Sequence, residues 1–295
     1  MTYREIYMAG HERLAAAGIE DAALDARLLL EHVCGTDRNE LLVHGDRTVA
    51  EEQERQYQEL LERRACRIPL QYLTGVQGFM GLDFFVNENV LIPRQDTEIL
   101  VEEVLRNLHD GMSILDLCTG SGCILISLLR YSNHCRGLGV DISREALAVA
   151  QKNAEKLLSV SPMQEEIEKG GIDFLESDLY EKVAGEFDVI VSNPPYIRTK
   201  VLKTLMPEVR DHEPVLALDG GEDGLLFYRR ILQGSSRCLK GGGMLFFEIG
   251  YDQGKAVCDL MEKEGYLEVQ VIKDYAGLDR VVSGVLSVQR HSCRR

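Results

Sequence analysis

The sequence contains little that would hold a secreted or zinc-stabilised protein together. Its eight cysteines are scattered, without a C-x-x-C pair or a matching histidine cluster. Disulfide frameworks and structural zinc sites need cysteines at paired spacings. We therefore predict reduced thiols, no metal site and a cytoplasmic location. The first twenty residues carry several charges and no continuous apolar core, so no signal peptide is expected.

A long apolar run and an excess of positive charge are also missing. No run reaches the roughly eighteen apolar residues that a membrane span requires. Asp and Glu total 48 against 33 Lys and Arg, which gives a net charge of −15. A field of that sign repels nucleic acid, and the basic cluster Arg63–Arg67 is interpreted as solvated surface. We expect neither a membrane nor a direct nucleic-acid partner.

The first 92 of the 295 residues divide into two predicted segments. Residues 1–72 show helical spacing only, with Thr2 and Asp21 as candidate helix caps, and they carry no chemistry of their own. This helical bundle either packs within the molecule or docks a protein partner. Residues 73–92 contain three glycines and three phenylalanines, which predicts a β-hairpin linker.

Residues 93–295 are predicted to form the catalytic domain, because strand and helix patterns alternate there as in a doubly wound parallel sheet. The predicted strands cover residues 113–117, 137–140, 172–175, 187–192, 243–248, 267–273 and 281–288. The last two form a closing antiparallel hairpin, which is typical of methyltransferase sheets. The fold class is therefore α/β, with seven mostly parallel strands and a small N-terminal helical bundle. A helix is expected at 225–239, and the acidic segment Val160–Gly171 is interpreted as an exposed extension.

A glycine-rich turn, Cys118-Thr119-Gly120-Ser121-Gly122, follows the first of these strands and opens a helix. Glycine lets a backbone approach a ligand closely. A dinucleotide fingerprint needs a third glycine at position 125, where this chain has Leu125. Asp116, just before the turn, would repel a diphosphate. Both features favour a nucleoside with a cationic end over a nicotinamide dinucleotide.

Acidic residues end the next two strands. Asp141 is placed to accept hydrogen bonds from both ribose hydroxyls of such a nucleoside. Asp178 can hold the adenine amine, with Leu179 against the face of the ring. Adenosine that carries a sulfonium and an amino-acid tail is S-adenosylmethionine. We therefore predict this cofactor, with S-adenosylhomocysteine as the product.

The segment Asn193-Pro194-Pro195-Tyr196 ends the fourth strand. Two prolines cannot continue a strand, and the extended geometry before a proline holds Asn193 at the carboxyl end, where open α/β sheets bind ligands. Asn193 Oδ1 and the Pro194 carbonyl can accept both hydrogens of a planar –NH2 group, while Tyr196 covers its plane. These acceptors favour the charge that builds on an attacking amide nitrogen. Asn193, Pro194 and Tyr196 are thus the predicted catalytic residues, and the motif suits an amide or the amine of adenine.

The segment from Ile92 to Glu98 precedes an amphipathic helix and permits two interpretations. Pro93, Thr97 and Glu98 suit the start of that helix. The polar side chains of the segment equally suit the wall of a pocket.

Over nearly its whole length the sequence resembles the bacterial peptide chain release factor glutamine methyltransferases, the HemK/PrmC family. The Asn-Pro-Pro-Tyr motif is shared with adenine methyltransferases, whereas the segments before Thr97, from Glu213 and from Lys273 are much more specific. The shared stretches are Gly75–Val86, Ile92–Glu98, Asp116–Ile124, Val140–Asp141, Ser177–Leu179, Ser192–Ile197, Glu213–Leu225, Phe247–Gly250 and Lys273–Arg280.

The resemblance implies a class I S-adenosylmethionine-dependent methyltransferase that binds its cofactor through residues 118–122, Asp141, Leu179 and Asn193. It also implies that residues 193–196 hold the substrate, the glutamine of the Gly-Gly-Gln motif in peptide chain release factors, and that the helical domain docks the factor. The family's segment after the second strand is usually shorter than the one here. A glutamine methyltransferase for a ribosomal protein is the first alternative, and an adenine-specific DNA methyltransferase, a nicotinamide dehydrogenase and a non-catalytic binding protein are more distant.

Overall fold

A computed structural model describes residues 1–158 and 171–287 of the chain. The α-helices in these ranges are α1 (Tyr3–Ala16), α2 (Ala22–Cys34), α3 (Arg38–Val43), α4 (Glu51–Ala65), α5 (Leu70–Thr74), α6 (Asp96–Asn107), α7 (Cys123–Tyr131), α8 (Arg144–Leu158), α9 (Pro207–His212), α10 (Leu226–Ser235) and α11 (Gly254–Lys263). Within these two ranges, no helix has both the length and the apolar character that a membrane span requires. Apart from Gly171, the predicted extension Val160–Gly171 lies outside the described residues.

The strands form one large sheet and a separate hairpin. They are β1 (Val76–Phe79), β2 (Leu82–Phe85), β3 (Ser113–Leu117), β4 (Arg136–Asp141), β5 (Ile172–Glu176), β6 (Phe187–Ser192), β7 (Leu239–Glu248), β8 (Tyr266–Lys273) and β9 (Asp279–Leu286). The large sheet has the order β5-β4-β3-β6-β7-β9-β8, and β1 pairs with β2 alone. The strands from β5 to β7 pair in parallel, whereas β9 runs antiparallel to both β7 and β8. The predicted seven-stranded sheet with a closing antiparallel hairpin is confirmed.

The central strands are apolar throughout because helices cover both faces of the sheet. Every residue of β3 is buried. Successive side chains of a strand point to opposite faces, so Leu115 belongs to the core cluster that contains Tyr228 of α10, while Ile114 belongs to the cluster that contains Leu100 of α6 and Leu125 of α7. The chain moves outward from β3 to β5 on one side and restarts at β6 on the other. This reversal leaves a crevice at the carboxyl ends of β3 and β6.

The contacts divide the chain into two units. The first contains Met1–Val76 together with the short segment Leu205–His212, and the second contains Gln77–Thr204 and Glu213–Arg295. Helix α9 lies in that short segment. A piece of the long loop that follows the Asn-Pro-Pro-Tyr motif therefore belongs to the helical unit, which no pattern in the sequence indicated.

In the helical unit, α1, α2 and α4 pack around a core that includes Leu14 and Tyr57. Helix α1 begins with a capping box, in which the Glu5 N–H donates to Thr2 Oγ1 and the Thr2 N–H donates to Glu5 Oε2. The predicted Thr2 cap is confirmed. Asp21 occupies the N-cap position of α2, as predicted, but its side chain makes no capping hydrogen bond.

The basic cluster at the end of α4 is not simply solvated surface. Arg64 is only 7% exposed. Its Nε donates to Asp25 Oδ2 at 2.7 Å, and its Nη1 donates to Glu208 Oε1 at 3.1 Å. Glu208 Oε1 also accepts a hydrogen bond from Arg67 at 3.2 Å. The interpretation as solvated surface was therefore wrong for Arg64, whose burial is possible because two carboxylates surround it.

Two boundaries in the catalytic part differ from the predicted ones. Helix α10 ends at Ser235 and β7 already begins at Leu239, whereas the sequence predicted a helix up to residue 239. Leu239 is buried and pairs with Phe187 of β6. Packing on β6 thus extends β7 through a glycine-rich stretch whose composition alone favours a turn. Pro93 is not part of α6, which begins at Asp96.

Candidate active site

The carboxyl ends of β3 and β6 lie side by side. Leu117 pairs with Ser192 in the parallel register, and the Ser192 hydroxyl donates a 2.7 Å hydrogen bond to the Leu117 carbonyl. Cys118 and Asn193, the next residues along the chain, therefore leave the sheet as neighbours. The glycine-rich turn and the Asn-Pro-Pro-Tyr segment start from the same point of the sheet edge.

A cavity opens at this edge. The predicted site residues that line it are Cys118, Thr119, Gly120, Ser121, Asp141, Asp178, Leu179, Asn193 and Pro195. Four other predicted residues of the described chain, Asp116, Gly122, Pro194 and Tyr196, are not part of its lining. Leu216, Phe227 and Arg230 also line the cavity, and nothing in their local sequence pattern separates them from ordinary loop and helix residues.

The backbone shapes the glycine-rich turn and fixes Asp141. Gly122 precedes α7 with φ +78°, and a Cβ there would lie 2.9 Å from Ile126 Cδ1, so only glycine fits. The Gly120 N–H donates to Asp141 Oδ2 and the Ser143 N–H donates to Asp141 Oδ1, each at 2.9 Å. Because each carboxylate oxygen has a second acceptor site, both remain able to bind a ligand hydroxyl.

Asp116 lies under the turn. It is fully buried, and its Oδ2 accepts a 2.6 Å hydrogen bond from the Thr119 hydroxyl. Within the described residues, its Oδ1 has no hydrogen-bond partner. Burial raises the pKa of the Asp116 carboxyl to about 7, and the Thr119 hydrogen bond opposes this shift. A buried carboxyl with one unpaired oxygen favours a nearby ligand that is cationic or donates a hydrogen bond.

Two residues of the cavity wall have strained backbone conformations. Cys118 has φ +60° and Leu179 has φ +49°, in the left-handed region that costs a non-glycine residue about 1–2 kcal/mol. Such strain persists where the surroundings impose it, often at functional sites. Asp178, beside Leu179, accepts a 2.8 Å hydrogen bond from Arg230 Nη2. This carboxylate therefore has a protein partner that the sequence did not indicate.

Tyr196 is anchored by its hydroxyl, which donates a 3.0 Å hydrogen bond to Glu248 Oε1 at the end of β7. Glu248 is only 1% exposed. Burial raises the pKa of its carboxyl, while the hydrogen bond from Tyr196 and the charge of Arg280 lower it in part. Burial and Glu248 also raise the pKa of Tyr196. Tyr196 is therefore a neutral phenol at physiological pH, and Glu248 sets the orientation of its ring.

The Asn-Pro-Pro-Tyr segment is also held by its backbone and by Asn193. Gly220 packs so closely that a Cβ there would lie 2.6 Å from Tyr196 Cα. Gln253 Nε2 donates a 3.1 Å hydrogen bond to the Tyr196 carbonyl. Asn193 Nδ2 donates to Thr97 Oγ1 at 3.4 Å. These contacts give the segment the restricted geometry that orientation of a reactant requires.

The loop before α6 and the first turn of that helix supply part of the cavity wall, through Arg94 and Thr97. Arg94 Nη2 donates to the buried Glu213 at 2.5 Å. Arg280 Nη2 lies 3.0 Å from Asp96 Oδ2 and 2.9 Å from Asp274 Oδ2. Both interpretations of this segment hold, because α6 begins within it at Asp96 and because Pro93, Arg94 and Thr97 line the cavity. The ion pairs join this segment to the two chain segments that begin at Glu213 and Lys273.

The sheet order and the cavity at the reversal point define a Rossmann-like methyltransferase. Residues 94–211 match the family model described as the Methyltransferase small domain, and residues 5–75 match the PrmC N-terminal domain. A methyltransferase from Pyrococcus furiosus shares this fold, with a TM-score of 0.53 and 20% identity over 77% of this chain and 100% of its own.

Two curated relatives give a closer assignment. The release factor glutamine methyltransferase of Caulobacter vibrioides is 44% identical over 97% of this chain and 96% of its own length. The enzyme of the same name from Moorella thermoacetica is 44% identical over 95% of this chain and 97% of its own. The chain belongs to the release factor glutamine methyltransferase family.

Proposed function

We propose that this protein methylates the side-chain amide nitrogen of the glutamine in the Gly-Gly-Gln motif of peptide chain release factors. One observation carries the proposal: Asn193 lines the same cavity as the glycine-rich turn and Asp141. An acceptor for a substrate –NH2 group thus lies beside residues suited to hold a nucleoside cofactor. The names of relatives that match almost the whole chain supply the substrate class.

We infer that the cofactor is S-adenosylmethionine, which supplies a methyl group on a positively charged sulfur. Asp141 keeps acceptor sites for the ribose hydroxyls, and Leu179 offers an apolar surface for adenine. A Cβ added at Gly120 would have no heavy atom of the described residues within 4 Å, apart from those of its chain neighbours. The space above the turn is therefore open to a ligand. Asp116 lies under the turn and outside the cavity lining, so it can favour the cationic part of the ligand through its charge but not by direct contact. The residues present therefore fit this cofactor.

The chain's own groups explain how a weak nucleophile reacts. An amide nitrogen is a poor nucleophile because its lone pair is delocalised into the carbonyl. We infer that Asn193 Oδ1 and the Pro194 carbonyl accept its two N–H groups, which favours positive charge on nitrogen and fixes its direction of attack. Tyr196 limits movement of the amide plane. The methylated amide cation then loses a proton to water, so a strong general base is not required.

We further propose that the helical residues 1–72 dock the release factor, that residues 73–92 link the two parts, and that residues 93–295 hold the catalytic site. We also propose a cytoplasmic site of action, where a substrate that takes part in translation would be found, and we propose neither a nucleic-acid nor a membrane partner. The net charge of −15 supports the absence of a direct nucleic-acid contact.

Transfer of radioactive methyl groups from S-adenosylmethionine tests the substrate class. We expect label in purified release factor, and none in ribosomal proteins or in DNA that contains adenine. Label in a ribosomal protein alone would support the first alternative, and label in DNA alone would support the second. Either result would overturn the proposal.

Cofactor affinity should depend on pH through Asp116. Because burial raises its pKa to about 7, the carboxyl is neutral in acid and gains its charge as the pH rises through that value. A cationic ligand stabilises the charged form. The dissociation constant for S-adenosylmethionine should therefore fall as the pH rises, by at most about tenfold per pH unit below the pKa, and then level off.

Isothermal titration calorimetry between about pH 5.5 and 8.5 measures this dependence around a pKa near 7. Asp116→Asn provides the control, because asparagine keeps an acceptor for Thr119 but does not titrate. Its dissociation constant should vary much less over the same range. Equal pH dependence in both proteins, or tighter binding in acid, would contradict the assignment to Asp116.

A further inference from the structure

Arg230 is held at the wall of the cavity by two contacts. Its Nη2 donates a 2.8 Å hydrogen bond to Asp178 Oδ2. Its guanidinium carbon lies 5.8 Å from the centre of the Phe227 ring, within the range of a cation–π contact. Arg230, Asp178 and Phe227 all line the cavity. An arginine that contacts both a carboxylate and an aromatic ring has little freedom to move away from either.

Helix α10 fixes the position from which the Arg230 side chain starts. Tyr228 is fully buried, and its hydroxyl donates a 3.0 Å hydrogen bond to the Glu248 carbonyl. Ile231 is also fully buried. Phe227 and Arg230 are three positions apart and are therefore neighbours on the helix surface, on the side that lines the cavity. The pair of Arg230 with Asp178 is thus anchored to a packed helix.

The Asp178 carboxylate has one oxygen occupied and one oxygen free. Its Oδ2 accepts from Arg230, whereas its Oδ1 has no hydrogen-bond partner among residues 1–158 and 171–287. An arginine side chain only donates hydrogen bonds, and an ionised carboxylate only accepts them. As long as Arg230 holds Oδ2, the free oxygen has a fixed direction. It provides an acceptor at the cavity wall and suits a ligand group that donates, such as an aromatic amine.

We propose that Arg230 is a positioning residue that makes the site selective for adenine, because it fixes the Asp178 carboxylate where the free oxygen accepts a hydrogen bond from the 6-amino group. This inference rests on the proposed function, which places adenine against Leu179, next to Asp178. Arg230 itself does not contact the ligand. A 6-oxo purine would turn a carbonyl oxygen toward the fixed carboxylate oxygen, and two acceptors repel each other. Without Arg230, the carboxylate can turn to the N1–H group of the 6-oxo purine, and the selectivity is lost.

Calorimetric titration with S-adenosylhomocysteine and with its deaminated counterpart, which carries a 6-oxo purine, tests the inference. We expect wild-type protein to bind the amino ligand about ten- to hundredfold more tightly, the effect of one hydrogen bond to a charged group. Arg230→Ala should weaken binding of the amino ligand about three- to fivefold, since the ion pair is partly exposed. Binding of the 6-oxo ligand should be unchanged or tighter. The selectivity should therefore fall at least about threefold.

Arg229→Ala is the matched control. Arg229 precedes Arg230 on α10 and also pairs with an aspartate, Asp223. Its side chain is 41% exposed, close to the 37% of Arg230. Within the part of the chain that the structure describes, however, Arg229 is not in the lining of the cavity. Its replacement should leave both dissociation constants unchanged.

Asp178→Asn tests the direction of the hydrogen bonds independently. Because Arg230 only donates, it would hold the oxygen of the new carboxamide and leave the –NH2 group for the ligand. We expect this variant to bind the 6-oxo ligand more tightly than the amino ligand, which reverses the wild-type preference. In the Asp178→Asn, Arg230→Ala double variant the carboxamide is free to turn over, and neither ligand should be preferred. Thermal unfolding shows whether each variant is folded, and Asp178→Asn decides the question if Arg230→Ala is not.

The outcomes separate this inference from the proposed function. Wild-type protein that binds both ligands equally, a folded Arg230→Ala protein with wild-type selectivity, or an Asp178→Asn protein that still prefers the amino ligand would overturn the positioning role. Equal weakening of both ligands by Arg230→Ala would also overturn it, because Arg230 would then contact a part that the two ligands share. Failure of the wild-type protein to bind S-adenosylhomocysteine at all would instead overturn the proposed cofactor.

Discussion

Replacement of Asn193 by alanine is expected to reduce kcat for methyl transfer to the release factor by about 10²- to 10³-fold, the loss that follows removal of one preorganised group at a developing charge. Alanine removes one of the two acceptors for the substrate amide. The affinity for S-adenosylmethionine should change far less, because the glycine-rich turn and Asp141 remain. Steady-state kinetics with purified release factor, together with calorimetric titration of the cofactor, measure both quantities.

Lys255→Ala is a matched control for this experiment. Lys255 lies on α11 with its side chain 87% exposed, and within residues 1–158 and 171–287 its one ion-pair partner is Asp259 on the same helix. Its replacement should leave kcat and KM unchanged. An Asn193→Ala enzyme that retains more than about a tenth of wild-type kcat would contradict a role for Asn193 as a principal acceptor.

Replacement of Arg64 by alanine is expected to destabilise the helical unit by about 3–5 kcal/mol, the typical cost of leaving a buried charge without its partner. Asp25 would lose the hydrogen bond from Arg64 Nε, and Glu208 would keep only Arg67. Burial already raises the pKa of Asp25 in spite of Arg64. Denaturant unfolding followed by circular dichroism measures the free energy of unfolding.

A double variant, Asp25→Leu with Arg64→Met, tests whether the loss comes from an unpaired charge. Apolar side chains of similar volume can replace a buried ion pair with little loss of stability. The double variant should therefore be more stable than Arg64→Ala. An Arg64→Ala protein within about 1 kcal/mol of wild type would show that the pair behaves like a surface salt bridge.

The sheet and the residues at its edge could be predicted because their signals are local. Buried strands appear as short apolar runs, and the rule that ligands bind at the carboxyl ends of parallel strands points to the residues that follow them. Asp141, Leu179 and Asn193 each follow a predicted strand, and all three line one cavity. The position of these three residues could therefore be predicted from the sheet topology alone, without knowledge of long-range contacts.

The supporting contacts could not be predicted, because packing brings together residues that are distant in the sequence. Arg94 pairs with Glu213, 119 positions away, and Tyr196 pairs with Glu248, 52 positions away. The motifs containing these residues were visible, but their pairing was not. Arg64 shows the same limit, since a buried arginine and a solvated one look alike in a basic cluster.

Mass spectrometry of release factor peptides after incubation with this protein and S-adenosylmethionine tests the central claim most directly. We predict one added methyl group on the side-chain amide of the Gly-Gly-Gln glutamine, and little or none when Asn193→Ala replaces the wild-type protein. A wild-type protein that binds the cofactor but leaves this glutamine unmodified, or that methylates another residue, would contradict the account.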